Sequence, residues 1–129
     1  MANQNKIGLF LDDDGRGLER GRYLAKEKNS PFALSLYDDP TINWVHVKNY
    51  QEFLKHIRHN GLPHIISFDN DLGEEKEGFD CANFLCELCI STKNKVPLFI
   101  VHSQNNIANK RIYDKLNDTI KYEKTYLRK

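Results

Sequence analysis

The fold of this chain is predicted from one stretch of its sequence, His64-Ile65-Ile66-Ser67-Phe68-Asp69-Asn70-Asp71-Leu72-Gly73. Residues 64–68 form an apolar run rich in β-branched and aromatic residues, which indicates a buried strand. Asp69 and Asp71 follow the run, and Gly73 indicates a turn. Open α/β sheets bind their ligands at the carboxyl ends of their strands. The stretch therefore predicts a strand that carries two carboxylates to a ligand site.

Two other apolar runs end in the same way. Residues 7–11 are followed by three consecutive aspartates at 12–14, and residues 98–101 are followed by His102 and Ser103. Each run ends in polar groups that can bind a cation or a phosphate.

Helical patterns lie between these runs. Residues 50–57 carry apolar side chains at helical spacing, with Asn49 as the predicted N-cap, and the pattern returns over 79–91 and 106–117. A short strand is predicted at 44–47. Strands that alternate with helices predict βαβ units and a parallel sheet.

We therefore expect one domain over residues 1–129, an α/β three-layer doubly wound parallel sheet of flavodoxin-like order with four or five strands. The first strand is central, the third lies beside it, and the fourth lies beside the third. Residues 16–42 are expected to be an irregular insertion or a first-helix region. Residues 119–129 are expected to be an edge strand or a frayed end.

The composition is that of an ordinary globular protein. Apolar residues make up 40% and charged residues 29%, and the net charge of +1 gives no strong field toward nucleic acid or membrane. The apolar runs are shorter than the roughly 18 residues that span a bilayer. The polar N-terminus predicts no secretory signal. Three crowded cysteines, Cys81, Cys86 and Cys89, favour reduced thiols and a cytoplasmic location.

The aspartates predict a metal site. Where Asp12, Asp13, Asp69 and Asp71 converge in a partly buried cleft, their repulsion requires either protonation or a bound cation. Mg²⁺ is the expected cofactor, because it prefers oxygen ligands and is commonly completed by a substrate phosphate. The alternative is that both acidic runs are turns and helix caps.

The end of the fourth strand predicts phosphate chemistry. His102 can act as a general acid or base, and the Ser103 hydroxyl can bind a phosphate oxygen. Asn106 lies at the start of the following helix, where backbone N–H groups favour an anion, and Arg111 can bind a phosphate bidentately. The alternatives are a histidine satisfied by backbone groups, a helix-capping serine and a solvated arginine.

Several short motifs together resemble the cyclic-phosphate processing receiver domain, a group similar to response-regulator receivers. The matching motifs are Leu9 to Asp13, Ser67 to Gly73, Gly78 to Asp80, and Val101 to Ser103 followed by Asn106 and Arg111. The similarity covers about residues 7–13 and 43–112.

The resemblance implies a receiver-like fold of five strands, a Mg²⁺ site at Asp12, Asp13 and Asp69, and processing of cyclic phosphates such as 2′,3′-cyclic ends of RNA or nucleotides. Asn70 stands where the family carries histidine. Receivers also carry a lysine after a fifth strand, for which Lys121 and Lys124 are the candidates.

The leading hypothesis is a Mg²⁺-dependent phosphoesterase that acts on a phosphate-containing small molecule or an RNA end. Asp69 or a metal-bound water attacks phosphorus, His102 protonates the leaving oxygen, and Ser103 with Arg111 holds the phosphoryl oxygens. The alternative is a regulatory module in which Asp69 is a phospho-acceptor, or in which the cleft binds a nucleotide without turnover. A third possibility is an interaction protein that keeps the fold without the chemistry.

Overall fold

The computed structural model of the protein describes residues 6–127. Within this range the chain forms four strands and five α-helices, and the last helix continues into a short π-helical segment. The strands are β1 (Lys6–Leu11), β2 (Ile42–Val47), β3 (Ile65–Phe68) and β4 (Leu98–Val101). The helices are α1 (Leu18–Glu27), α2 (Pro31–Tyr37), α3 (Tyr50–Asn60), α4 (Gly78–Thr92) and α5 (Asn106–Tyr122), and the π-helical segment is Glu123–Leu127. No helix in the described range is long and apolar enough to cross a membrane.

The strands form one parallel sheet in the order β2-β1-β3-β4. This confirms the predicted order, with the first strand central and the fourth beside the third. Leu11 at the end of β1 is in register with Val47 on one side and Phe68 on the other. Residues that follow β1 and β3 are therefore neighbours at the carboxyl edge of the sheet.

Side chains that point alternately to the two faces of the sheet form two apolar cores. Leu9 and Leu11 pack on the face covered by α3, α4 and α5, together with Phe53, Leu85 and Ile112. Phe10 points to the opposite face, covered by α1 and α2, where it lies with Ala25, Tyr37 and Ile100. Successive side chains of a strand point to opposite faces, so the sheet becomes the middle of three layers.

Residues 16–42 are more regular than an insertion would be. They contain α1 and α2, and β2 begins at Ile42. Ser30 and Pro31, a dipeptide that breaks helices, here start α2, with the Ser30 hydroxyl accepting the N–H of Ala33 and Pro31 in the first turn. α1 ends at Glu27, Asn29 turns the chain in a left-handed conformation, and the dipeptide then begins α2.

The predicted edge strand near the C-terminus is wrong for residues 119–127. α5 continues to Tyr122 and the chain remains helical to Leu127, and residues 128–129 lie outside the described range. Lys121 lies 15 residues after Asn106, which places it roughly 22 Å along the helix axis from the carboxyl edge. Lys121, and Lys124 beyond it, therefore do not take the place of the receiver lysine.

The N-terminus of α4 is packed against the backbone that follows β3. The Gly78 N–H donates to the Asn70 carbonyl at 2.8 Å. A Cβ atom on Gly78 would lie 2.0 Å from the Asp69 carbonyl oxygen, well inside contact distance with backbone that cannot easily move. Glycine at this position therefore fixes how closely α4 approaches Asp69.

We expect Gly78→Ala to lower the free energy of unfolding by about 1–3 kcal/mol, because the added methyl group forces α4 away from Asp69. Urea unfolding measures the change. Gly15→Ala is the matched control, since a Cβ at Gly15 meets no atom within 4 Å. Equal unfolding midpoints for the two variants would contradict the packing described above.

Candidate metal centre

Three aspartates converge at the carboxyl edge of the sheet. Asp12 and Asp13 follow β1, Asp69 follows β3, and one carboxylate oxygen from each lies within 4.8 Å of the others. Asp12 is 2% exposed and Asp69 is 9% exposed, whereas Asp13 faces solvent. The structure thus brings together three of the four aspartates predicted to bind a metal.

The electrostatics of this acidic group favour a cation. Burial, and then repulsion from Asp12 and Asp13, raises the pKa of Asp69 to about 7. Proximity of like charges disfavours ionisation, and a hard divalent cation relieves it. The donors are all carboxylate oxygens, the type that Mg²⁺ prefers. The three cysteines are free and buried, and none of them belongs to the acidic group.

Two neighbouring aspartates lie outside the acidic group. Asp71 is exposed, and its carboxylate accepts a hydrogen bond from the Asn70 amide at 3.1 Å. Asp14 forms an ion pair with Arg16 at 2.8 Å, and the hydrogen bonds from Arg16 hold the pKa of Asp14 well below its usual range. Asp71 lies near enough for its charge to help raise the pKa of Asp69, but it contributes no oxygen to the acidic group.

The carboxylate of Asp12 is held by hydrogen bonds on both oxygens. Oδ1 accepts the Asp14 N–H at 2.8 Å, and Oδ2 lies 2.9 Å from Nε2 of His102. The His102 ring is 5% exposed and stacks on Phe10, with ring centroids 4.5 Å apart. Asp12 is thus fixed in one orientation before any ligand arrives.

His102 belongs to a buried chain of hydrogen bonds on the face of the sheet that α1 and α2 cover. Its Nδ1 lies 2.7 Å from Oγ of Ser67, which lies 2.7 Å from the Tyr37 hydroxyl. Burial lowers the pKa of His102, which favours the neutral ring. A carboxylate only accepts hydrogen bonds, so we assign the ring proton to Nε2. Ser67 then donates to Nδ1 and Tyr37 donates to Ser67, which gives every proton in the chain a partner.

This chain of hydrogen bonds bears on the role predicted for His102. Both ring nitrogens are engaged inside the protein, one with Asp12 and the other with Ser67. The ring proton therefore points at a carboxylate of the acidic group. In this arrangement His102 orients Asp12.

The remaining predicted residues make no direct contact with the acidic group in the described part of the chain. Ser103 is buried, and its hydroxyl accepts the Asn105 N–H at 3.0 Å, while Asn105 itself caps α5. Asn106 is exposed in the first turn of α5. The guanidinium of Arg111 lies 4.2 Å above the ring of Phe79, which places it beside the first turn of α4.

Three residues have structural roles at the site that the sequence did not predict. Ser67 has a detectable signal, because a hydroxyl inside a fully buried strand needs a hydrogen-bond partner. Tyr37 has none, since its partner lies 30 residues away in the chain. Asn70 is 2% exposed, and it donates to Glu77 at 3.2 Å and accepts the Phe79 N–H at 3.2 Å. It braces the loop between β3 and α4.

In metal-free buffer, we expect wild type to lose stability relative to Asp69→Asn as the pH rises from about 4 to about 7. The native carboxyl keeps its proton up to a pKa of about 7, whereas the ordinary value is 3.8. The native state therefore binds more protons than the unfolded state in this window, so its stability falls with rising pH. At pH 7.5 the variant should be more stable by on the order of 2 kcal/mol.

Urea unfolding at a series of pH values in EDTA measures this difference. Asp118→Asn makes the same change on the exposed surface of α5 and should track wild type at each pH. A constant difference between Asp69→Asn and wild type across the range would contradict the raised pKa.

Comparison with known proteins bears on both the fold and the site. The structure aligns with a fusion protein that carries part of the yeast Spc42 trimeric coiled coil, at a TM-score of 0.51 and 16% identity, over 93% of this chain and 64% of that chain. It aligns with the receiver domain of the Francisella response regulator 1452 at a TM-score of 0.49 and 14% identity, over 94% of this chain and 98% of that chain. At 16% identity, the alignment with the fusion protein concerns the fold alone. No curated protein sequence gives a significant match.

The family comparison is more specific. A family model described as the cyclic-phosphate processing receiver domain matches residues 7–118, which include the acidic group, His102 and Arg111. This confirms the resemblance drawn from the short motifs. The chain therefore belongs to the family of cyclic-phosphate processing receiver domains.

Proposed function

We propose that the protein is a Mg²⁺-dependent phosphoesterase that acts on a cyclic phosphate or a related phosphate ester, such as the 2′,3′-cyclic end of an RNA or a nucleotide. The observation that carries the proposal is the acidic group of Asp12, Asp13 and Asp69 at the carboxyl edge of the sheet. The family description supports the substrate class. With three free, buried thiols, the cytoplasm stays the predicted location.

The acidic group would hold the cation. Its three carboxylates lie close enough for one oxygen of each to reach a common point, and an all-oxygen donor set suits Mg²⁺. When bound, Mg²⁺ supplies positive charge that stabilises the phosphoryl oxygens during transfer. Removal of the repulsion at Asp69 would favour its ionised form at neutral pH.

His102 contributes by positioning Asp12. Its neutral ring donates one N–H to the carboxylate and is itself held by Ser67 and by the stack on Phe10. Hydrogen-bond partners of this kind fix the orientation of metal-binding groups. We propose this role in place of protonation of the leaving oxygen.

Asp69 is the residue proposed to take part in the reaction itself. It is mostly buried, it stands at the end of β3 beside Asp12, and its pKa near 7 without a cation lets it exchange a proton near neutral pH. Either its carboxylate oxygen would attack phosphorus, with water later hydrolysing the aspartyl phosphate, or it would accept the proton of an attacking water. In both cases the P–O bond to the ester oxygen breaks, and that oxygen takes a proton from Asp69 or from solvent water. Ser103, Asn106 and the exposed Arg111 are the proposed contacts for the phosphoryl oxygens.

A receiver-like regulatory module is the second candidate function. It is favoured by one observation, that both nitrogens of His102 are engaged within the protein. In such a module Asp69 would accept a phosphoryl group from a small donor and retain it, or the cleft would bind a nucleotide without turnover.

Turnover of 2′,3′-cyclic nucleotides with Mg²⁺ tests the proposed activity. Asp69→Asn should lower kcat by about 100-fold or more, because it removes the carboxylate from the reacting centre. Glu75→Gln, an exposed change in the loop between β3 and α4, should stay within about threefold of wild type. Absence of turnover, together with a stable Mg²⁺-dependent mass increase from acetyl phosphate that Asp69→Asn abolishes, would favour the regulatory module instead.

Metal affinity tests the positioning role of His102. His102→Leu should weaken Mg²⁺ binding by about 10–100-fold, since loss of an orienting partner has this effect at other metal sites. Isothermal titration with Mg²⁺ measures the affinity. Tyr37→Phe, which removes only the far end of the hydrogen-bond chain, should change it much less. Equal effects of the two variants would indicate general loosening of the fold.

A further inference from the structure

A cavity of about 470 Å³ opens on the face of the sheet that is covered by α1 and α2. It lies between these helices, β4 and the first turns of α5, with Leu24, Phe32, Phe99, Asn109 and Tyr113 in its walls. α5 packs its own apolar side chains, including Ile112, against the opposite face. The cavity is therefore the space beside β4 that α1 and α2 do not fill. Its size is within the range of small-molecule sites.

The cavity is separate from the acidic group. Asp12, Asp13 and Asp69 are not among the described residues that line it. His102 and Tyr37, which belong to the hydrogen-bond chain behind Asp12, form part of its wall. A ligand here would thus occupy a second site on the other side of that chain.

One buried side chain in the wall lacks a hydrogen-bond partner. Asn109 is 8% exposed, and its Nδ2 donates to the Ser103 carbonyl at 2.6 Å. Its Oδ1 is buried and accepts no hydrogen bond. The orientation of the amide is fixed, because the reverse orientation would place two acceptor oxygens together. Buried acceptors are rarely left without a donor, so this oxygen points to a ligand that brings an N–H or O–H group.

Aromatic side chains flank the same cavity. Phe32 is 70% exposed and Tyr113 is 40% exposed, and the Tyr113 ring lies 5.6 Å from that of Phe99. Exposed aromatic rings beside a cavity provide surfaces on which a flat ring can stack. The walls therefore favour a planar ligand.

The charges of the lining favour an anion. Lys28 and Lys110 line the cavity, and no acidic residue does so among the described part of the chain. Lys28 donates to the Ser103 carbonyl at 2.6 Å, close to Asn109, and Lys110 is paired with Asp114 at the surface. Both ammonium groups would attract a ligand that carries a negative group.

We propose that this cavity binds a nucleoside monophosphate. The base stacks against the aromatic walls and donates an N–H to Oδ1 of Asn109, and the phosphate lies near Lys28 and Lys110. This combines the planar ring, the donor and the anion that the lining requires. The site needs no cation, and the inference does not rest on the proposed phosphoesterase activity.

Titration of the full chain with AMP, GMP, CMP and UMP in EDTA tests the proposal, by calorimetry and by amide NMR. At least one nucleotide should bind with one-to-one stoichiometry and shift the Asn109 side-chain resonances. Ribose 5-phosphate and inorganic phosphate, which lack the base, should bind at least tenfold more weakly. Failure of all four nucleotides to bind, or equal binding of inorganic phosphate, would overturn the proposal.

Substitutions in the wall of the cavity test where the nucleotide binds. Asn109→Leu should weaken binding by about tenfold or more through loss of the acceptor, and Asn117→Leu, on the exposed surface of the same helix, should leave it unchanged. Phe32→Ala alters a mostly exposed side chain and should also weaken binding, which keeps the test valid if Asn109→Leu does not fold. Binding that ignores both cavity variants, or that requires Mg²⁺ and is lost in Asp69→Asn, would overturn the proposed location.

Discussion

Repulsion among three carboxylates is the constraint on which the carboxyl edge of this protein depends. Asp12, Asp13 and Asp69 are forced together because β1 and β3 are adjacent parallel strands that end in register. Burial, and then repulsion from Asp12 and Asp13, raises the pKa of Asp69 to about 7. Such an arrangement persists in the folded state only if the surrounding packing determines the positions of the strand ends. The close approach of Gly78 to the Asp69 carbonyl is one part of that packing.

Asp12 is supported from the face of the sheet that α1 and α2 cover, whereas α4 and Gly78 lie on the other face. The chain of hydrogen bonds from Tyr37 through Ser67 and His102 begins on α2 and ends at the carboxylate of Asp12. α2 thus does more than cover an apolar face, because it supplies the first donor of the chain. The same residues form part of the wall of the cavity beside β4. Tyr37 and His102 therefore lie between the acidic group and the cavity.

The strands and their order could be predicted from the sequence because each strand is an apolar run that ends in polar residues. The N-cap at Asn49 could be predicted for a similar reason, since capping acts over three residues and its amide does accept the N–H of Glu52. The failures have two physical causes. Ser30-Pro31 suits a helix break as well as a helix start, and here it starts α2. The C-terminal residues alternate too weakly to distinguish a strand from the helix that forms. Partners such as His102 and Asp12, 90 residues apart, are set by tertiary packing that local spacing does not encode.

Asn70 has a structural role in the loop between β3 and α4, at a position where the sequence departs from the motif that it resembles. The motif that the sequence resembles has histidine at this position, and asparagine has no group that can titrate. The Asn70 amide makes structural hydrogen bonds instead. Its nitrogen donates to Asp71 and Glu77, and its oxygen accepts the N–H of Phe79. A neutral imidazole has only one donor and one acceptor, so it cannot make this set of bonds. The loop between β3 and α4 is therefore braced by a residue without acid–base chemistry, and in the proposed mechanism proton transfer at this edge falls to Asp69.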